Sequence, residues 1–432
     1  MNSTFALFLF LVFLSPYQFA QQSEWTVYHT GNSGLPDNTV NAIAFDNEGV
    51  SWIGTNGGLA KYDGTTWTVY DTTNSPLQDN LITVIAIDDM GVKWLGTQDG
   101  GLARFDGTTW TIYTTANSGI AGNSVSSLAF GNAGVLWVGT NDNGIARFDG
   151  TAWKGYKWLD GFMPNDNIRS LVVDSSGIVW IGTAAYGMPQ SSRGLVGFDG
   201  TTNWRLFNQL NSDIPCDFIE SLTIDASGAL WIGMLKSAID LPGGVARYNG
   251  TTWTTFTKNN SGLPHNWVKC IAIDTKDKKW IATWGGGLAT LDGSTWTVYD
   301  STNSGLPSNS VFCVAVTGNG VKWIGTRNGL AKFVGGVVSV RDGVPGGFML
   351  QQNYPNPFNP STRISFEVPV RSDVSLVVFN ALGQEVETVA HGIHEAGRYE
   401  VEFNAVALPS GVYFYRLQAG EFTQTQKMML LR

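Results

Sequence analysis

One phrase, WIGTNGGLAKYDGTTWTVY at residues 52–70, returns as WLGTQDGGLARFDGTTWTIY at 94–113 and as WIATWGGGLATLDGSTWTVY at 280–299. Aligned on the Trp that opens W-[IVL]-[GA], it has seven copies, at Trp52, Trp94, Trp137, Trp180, Trp231, Trp280 and Trp323, spaced 42 to 51 residues apart. A second series keeps step with it: Trp25, Trp67, Trp110, Trp153, Trp204, Trp253 and Trp296. A fixed period in this range means similar units that stack, because one unit of that size cannot bury its own apolar face.

Each unit contains four short β segments. In residues 40–70 they are VNAIAFD, VSWIGT, LAKYD and GTTWTVY, divided by turns rich in Asn, Asp and Gly. Such residues tolerate the positive φ of tight hairpins. An Asp-x-x-Gly turn recurs at Asp46–Gly49, Asp88–Gly91, Asp174–Gly177 and Asp225–Gly228, and in the sixth copy Asp277 replaces the Gly. Charged residues are 14% of the chain, against roughly 25% in ordinary soluble domains. That balance suits strands covered on both faces. Four antiparallel strands per unit is the pattern of a propeller blade.

A solenoid is the structural rival, but the two ends of the repeat favour a closed ring. The array starts with an orphan fourth strand, EWTVYHT at 24–30, and its last unit stops at GLAKF, 329–333, with no clear W-T-V-Y after it. Joining the two completes a seventh blade and removes both exposed edges. The competing partner for the last blade is VVSV at 337–340.

The motif D-x-x-G-x-x-W-I-G-T-x-x-G-L-x-x-[FY]-D-G resembles the two-component regulator propeller repeat over roughly residues 31–335. That family forms extracellular sensor propellers of some bacterial hybrid histidine kinases, where glycan-derived ligands are sensed. This sequence contains no kinase, so the resemblance is to the module and not to the signalling protein.

The repeat stops near residue 335. Pro355, Pro357 and Pro360 forbid a helix after that point and enforce an extended entry. RISFEV, VSLVVFN, YEVEFN and VYFYRL then alternate in the manner of a small β-sandwich. NYPNPFNPST, FNALGQEV, LPSGVYFYRLQAG and the final KMMLLR closely resemble the C-terminal sorting domain of the type IX secretion system. The resemblance implies a Gram-negative cell, handling by the type IX machinery through the tail, a secreted or outer-membrane-surface location, and removal of the tail at the surface. The alternative is an ordinary Ig-like module that stays attached.

The expected fold is therefore all-β. A signal peptide at 1–20 precedes a seven-bladed β-propeller at 21–335, a linker at 336–349 and a small Ig-like β-sandwich at 350–432. The apolar run Phe5 to Leu14 is ten residues long, half of the roughly 20 a membrane helix needs, so a cleaved leader fits better than an anchor or a buried strand. No membrane span is expected in the mature chain. A net charge of −9 without a Lys/Arg cluster argues against nucleic acid.

Chemistry is sparse. Of four His, His391 and His394 lie in the tail and His29 in the closing strand, which leaves His265. No nucleophile elbow, zinc-protease or phosphate-loop motif is present, and no metal or cofactor is expected. Cys216, Cys270 and Cys313 are odd in number; the last two share a slot that elsewhere holds small residues, which reads as a packed column, with a disulfide or metal site as the alternative.

Asn38, Asn80, Asn123, Asp166, Asp217, Asn266 and Asn309 precede the seven innermost strands and form a ring at one mouth of the channel. Each either ties down its own turn or contributes to a coordinating ring. The loops at 183–194 and 234–244 are long, and three Trp outside the two series, Trp158, Trp267 and Trp284, map to the same face. Exposed Trp there suits sugar rings or peptide side chains, with Tyr186, Arg193, His265 and Arg327 as polar companions; the alternative is that these Trp only pack loops. The expected function is a non-catalytic binding module for a glycan or protein ligand. The rival is a secreted propeller enzyme such as a lyase on polysaccharide or cyclic peptide, with His265 and Asp217 or Glu220 as its base.

Overall fold

The computed structural model describes residues 25–158, 165–184, 193–235, 243–318, 320–334, 348–394, 397–420 and 422–431. The leader, VVSV at 337–340, and most of the two long loops lie outside them.

Seven four-stranded antiparallel sheets account for residues 25–333. Blade 1 runs outward through Val40–Phe45, Ser51–Thr55, Gly58–Tyr62 and Trp67–Tyr70. The innermost strands of blades 2 to 7 start at Ile82, Val125, Ile168, Ile219, Val268 and Val311. In blade 7 the outer strand is Trp25–Tyr28, antiparallel to Gly329–Phe333 with Trp25 opposite Phe333. The N-terminal segment thus closes the ring.

The repeated residues are the contacts that stack the blades. A Cβ placed on Gly54 would lie 2.7 Å from Ile82 Cγ2 of the next blade, and one on Gly325 2.7 Å from Val40 Cγ1 across the closure. The glycine of W-[IVL]-G therefore lets the neighbouring inner strand approach. The Trp before it is buried in six blades and half-buried in blade 4. In five blades its indole N–H donates to the turn Asp, as in Trp52 to Asp46 at 2.9 Å and Trp231 to Asp225 at 2.9 Å; in blades 3 and 7 Gly131 and Thr317 take the place of that Asp. The turn needs a left-handed residue four positions into the motif: Gly49 has φ 80°, and Asp277 accepts φ 64° in the sixth copy. Each outer-strand Trp lies opposite a third-strand residue; Trp67 stacks on Tyr62 at 4.4 Å and Trp110 on Phe105 at 4.3 Å. Trp25 repeats this stack on Phe333 at 4.3 Å, although some 300 residues separate them in sequence.

All three cysteines are free thiols. Cys313 sits in the core between blades 7 and 1, and burial raises its pKa well above the usual thiol range.

In the tail, Met349–Leu350, Ser361–Val368 and Gly397–Asn404 form one sheet. Glu385–His394, Ser372–Asn380, Gly411–Ala419 and Phe422–Leu430 form the other, in that spatial order. One core joins them, with Ile364, Phe366 and Phe403 from the first sheet and Leu376, Tyr415 and Met428 from the second. This is a β-sandwich.

Candidate functional site

Two sets of loops meet on one face of the propeller. In every blade the residue just after the second strand donates its N–H to the carbonyl of the residue just before the innermost strand. Examples are Asn56 to Thr39 at 3.3 Å, Trp284 to Trp267 at 3.0 Å and Arg327 to Ser310 at 3.1 Å. These paired positions form the rim of the axial channel.

Just inside the rim, each innermost strand carries a β-bulge at its second residue, where pairing skips from Val40 to Ala42, from Ile168 to Ser170 and from Val311 to Cys313, and likewise in the other blades. A bulge leaves one residue out of the ladder and re-aims its side chain. The seven skipped residues, Asn41, Thr83, Ser126, Arg169, Glu220, Lys269 and Phe312, all line one cavity of about 320 Å³, which Asn141 and Trp284 also border.

Its wall is divided by chemistry. Trp267 stacks on Trp284 (4.9 Å between ring centroids, 15° between planes), and Trp284 meets Phe312 at 5.2 Å, giving an aromatic run over blades 6 and 7. On neighbouring blades, Lys269 Nζ lies 2.7 Å from Glu220 Oε2 and 5.8 Å from the Trp267 ring. Arg169 and Asn141 stand on blades 4 and 3. Among the described residues, Arg169 Nε, Trp267 Nε1, Asn141 Oδ1 and Asn167 Oδ1 are buried without a hydrogen-bond partner.

The residues singled out from sequence separate accordingly. Trp267 and Trp284 belong to the aromatic run. Arg193 packs its guanidinium 4.6 Å from the ring of Phe218, a rim residue, and Arg327 stands exposed on the rim. Trp158 is 47% exposed, in the loop after an outer strand, and does not border the cavity. Tyr186 lies outside the described residues. Asn38, Asn80, Asn123, Asp166, Asp217, Asn266 and Asn309 each accept, through Oδ1, the backbone N–H of the residue eight positions earlier, at 2.6–2.9 Å.

His265 Nδ1 accepts the backbone N–H of Trp267 at 3.1 Å. The same turn is made by Asp37, Asp79, Asn165, Cys216 and Ser308 in other blades. With Glu220 bonded to Lys269 and Asp217 to the backbone of Gln209, the His265 constellation finds its members engaged in other bonds. Among the described residues, no group of three His, Cys, Asp or Glu is placed to hold a metal ion.

Residues 352–431 match the secretion system C-terminal sorting domain, and residues 34–57, 119–142 and 163–185 match the two component regulator propeller. The chain carries regulator-type propeller repeats and a type IX sorting tail. The tail marks it for export to the surface of a Gram-negative bacterium or beyond, through the type IX machinery. No helix among the described residues is long and apolar enough to cross a membrane.

No curated protein matches the sequence. Among solved structures, the extracellular domain assigned to the hybrid two component system BT3049 of B. thetaiotaomicron is 18% identical with a TM-score of 0.61, over 94% of this chain and 57% of its own. PorZ of Porphyromonas gingivalis, a surface component of the type IX secretion system, is 20% identical with a TM-score of 0.61, over 93% of this chain and 60% of its own. This chain thus spans about six tenths of either structure. Virginiamycin B lyase of Staphylococcus aureus is 15% identical with a TM-score of 0.57, over 71% of this chain and 98% of its own. At these identities the likeness is one of fold.

Proposed function

We propose that this exported propeller is a non-catalytic binding module whose ligand is a carbohydrate, held at the channel mouth. The observation that carries the reading is the run Trp267–Trp284–Phe312 beside a cavity whose wall contains both spare donors and spare acceptors. Flat aromatic faces suit the C–H faces of sugar rings. Buried polar atoms without partners are uncommon in folded proteins, and a hydroxyl-rich ligand can satisfy both kinds. The polar arrangement offers no free acid–base pair at His265, and the similarity to lyases extends to the fold alone.

The test is a glycan array probed with the full mature protein, followed by titration calorimetry of Trp267→Ala, Trp284→Ala and Trp158→Ala. The first two are expected to weaken glycan binding about tenfold or more, roughly 1.4 kcal/mol, without a matching change in melting. Trp158→Ala is expected to leave binding unchanged. Binding that survives both mouth substitutions would refute the site.

A further inference from the structure

We infer that the bound sugar is acidic and that Arg169 is the residue that reads its charge. This rests on the channel-mouth reading above and adds the class of ligand.

Among the described residues, the cavity is lined by three charged side chains, on the consecutive blades 4, 5 and 6: Arg169, Glu220 and Lys269. Two of them neutralise each other, since Lys269 Nζ is 2.7 Å from Glu220 Oε2. Arg169 is left over. Among the described residues it makes no hydrogen bond or ion pair, and its Nε is buried. A partly buried charge without a partner is expensive in a folded protein. It also runs against the character of this chain, which uses few charges and is acidic overall, with a net −9.

Packing does not account for Arg169. The same bulge position holds Asn41, Thr83 and Ser126 in blades 1 to 3, so the strand builds equally well around a small polar side chain. What the bulge does is leave the residue out of the ladder and on the channel wall, at one side of the cavity from which the aromatic run is two to three blades away. Guanidinium is planar and offers paired donors that match a carboxylate or a sulfate group. Asn141, on the neighbouring blade 3, borders the same cavity and adds its unpartnered Oδ1, suited to a hydroxyl that flanks such a group. A cavity of about 320 Å³ has room for a sugar unit that reaches from the rings of Trp284 and Phe312 toward this cation.

The experiment uses the full mature protein and matched saccharide pairs: oligogalacturonate against its carboxyl-reduced form, and a sulfated galactan oligosaccharide against its desulfated form. Titrations of the parent, Arg169→Gln, Arg169→Lys and Trp284→Ala are run at low and high salt. At least one acidic member is expected to bind tenfold or more tightly than its neutral counterpart, with that margin shrinking in salt. Which pair shows it distinguishes carboxylate from sulfate. Arg169→Gln should abolish the margin, and Arg169→Lys should recover part of it. Melting of Arg169→Gln should equal or exceed that of the parent, because an uncompensated charge has been removed.

Equal binding of acidic and neutral members, both still dependent on Trp284, would overturn the role of Arg169 and leave the aromatic site standing. Binding that ignores Trp284, or no binding to any member, would overturn the site and this inference with it. If Arg169→Gln fails to fold, Arg169 is structural and the inference fails on that ground; the comparison of acidic and neutral members on the parent still decides the ligand class.

Discussion

Ring closure can be tested by removing the two aromatic side chains that hold it. Trp25 stacks on Phe333 within blade 7 at 4.3 Å and reaches Tyr299 of blade 6 at 5.7 Å. Tyr28 lies over Trp323 at 5.8 Å and meets Trp67 of blade 1 at 5.5 Å. One four-residue strand therefore grips both neighbouring blades. Truncating a fully buried aromatic costs about 3–5 kcal/mol, and these two are half-buried, so about 2 kcal/mol each is a fair expectation. Lost ring stacking adds about 1 kcal/mol each. Trp25→Ala with Tyr28→Ala should then remove roughly 6 kcal/mol, a large share of a normal stability of about 5–15 kcal/mol.

At about 2 °C per kcal/mol for a chain of this size, melting should fall by about 10 °C. The lesion can be located as well as measured. Cys313 lies between blades 7 and 1, whereas Cys216 belongs to a core between blades 4 and 5. Thiol labelling read by mass spectrometry should show Cys313 reacting faster in the double variant while Cys216 stays protected. Trp110→Ala, which breaks the equivalent stack on Phe105 inside blade 2, should lower melting without changing Cys313. Melting within about 1 °C of the parent, or a Cys313 as protected as before, would refute closure by this strand.

Gly54→Val should destabilise by at least 1–3 kcal/mol, because the added carbons meet Ile82 of the next blade, and denaturant titration would show it. Acid should loosen the blades over a defined window. For Asp225, burial acts to raise the pKa, but hydrogen bonds from Ser227, from the Trp231 indole and from the Ala229 N–H outweigh it and hold the carboxyl below its usual range. Asp106 and Asp149 are lowered to about 2, chiefly by the backbone N–H groups of Thr109 and Ala152. Folded values below an unfolded value near ~3.9 mean a contribution complete above that pH and lost as pH falls through the folded values. Melting should therefore hold from pH 7 to 5 and drop between about pH 4 and 2, less steeply in Asp225→Asn; a flat profile to pH 2 would contradict this. We propose that the mature surface protein starts near Gln21 and ends within 335–350, which intact mass of material from the producing cells would establish; recovery of the whole tail would count against processing.

The parts of this molecule that every blade shares were legible in the sequence. The two Trp series recur in every blade, and the glycine of W-[IVL]-G and the Asp-x-x-Gly turn in most of them, because each blade must solve the same stacking and turning problem. The orphan W-T-V-Y strand exposed the closure for the same reason. The channel wall was not legible. Its seven residues differ from blade to blade, and the bulge that aims them breaks the simple alternation by which a strand's faces are read. The conspicuous Asn/Asp ring drew attention because it repeats, yet its repetition reflects a shared turn bond. A better signal was available. Within an apolar strand of a chain that is 14% charged, one column carries Arg169, Glu220 and Lys269 in succession. Trp267 and Trp284 stood out from sequence because they broke the two Trp series, and they lie on the channel rim; Trp158 stood out for the same reason and sits instead beside an outer strand.

Hydroxyl-radical footprinting of the full mature protein, with and without the tightest-binding glycan from the array, tests the location of the ligand most directly. Protection is predicted at Trp267, Trp284 and Phe312, with Trp158 and the outer groove at Phe207, Leu210 and Trp253 oxidised as in the free protein. Protection of that outer groove, with the channel mouth as reactive as before, would contradict the account.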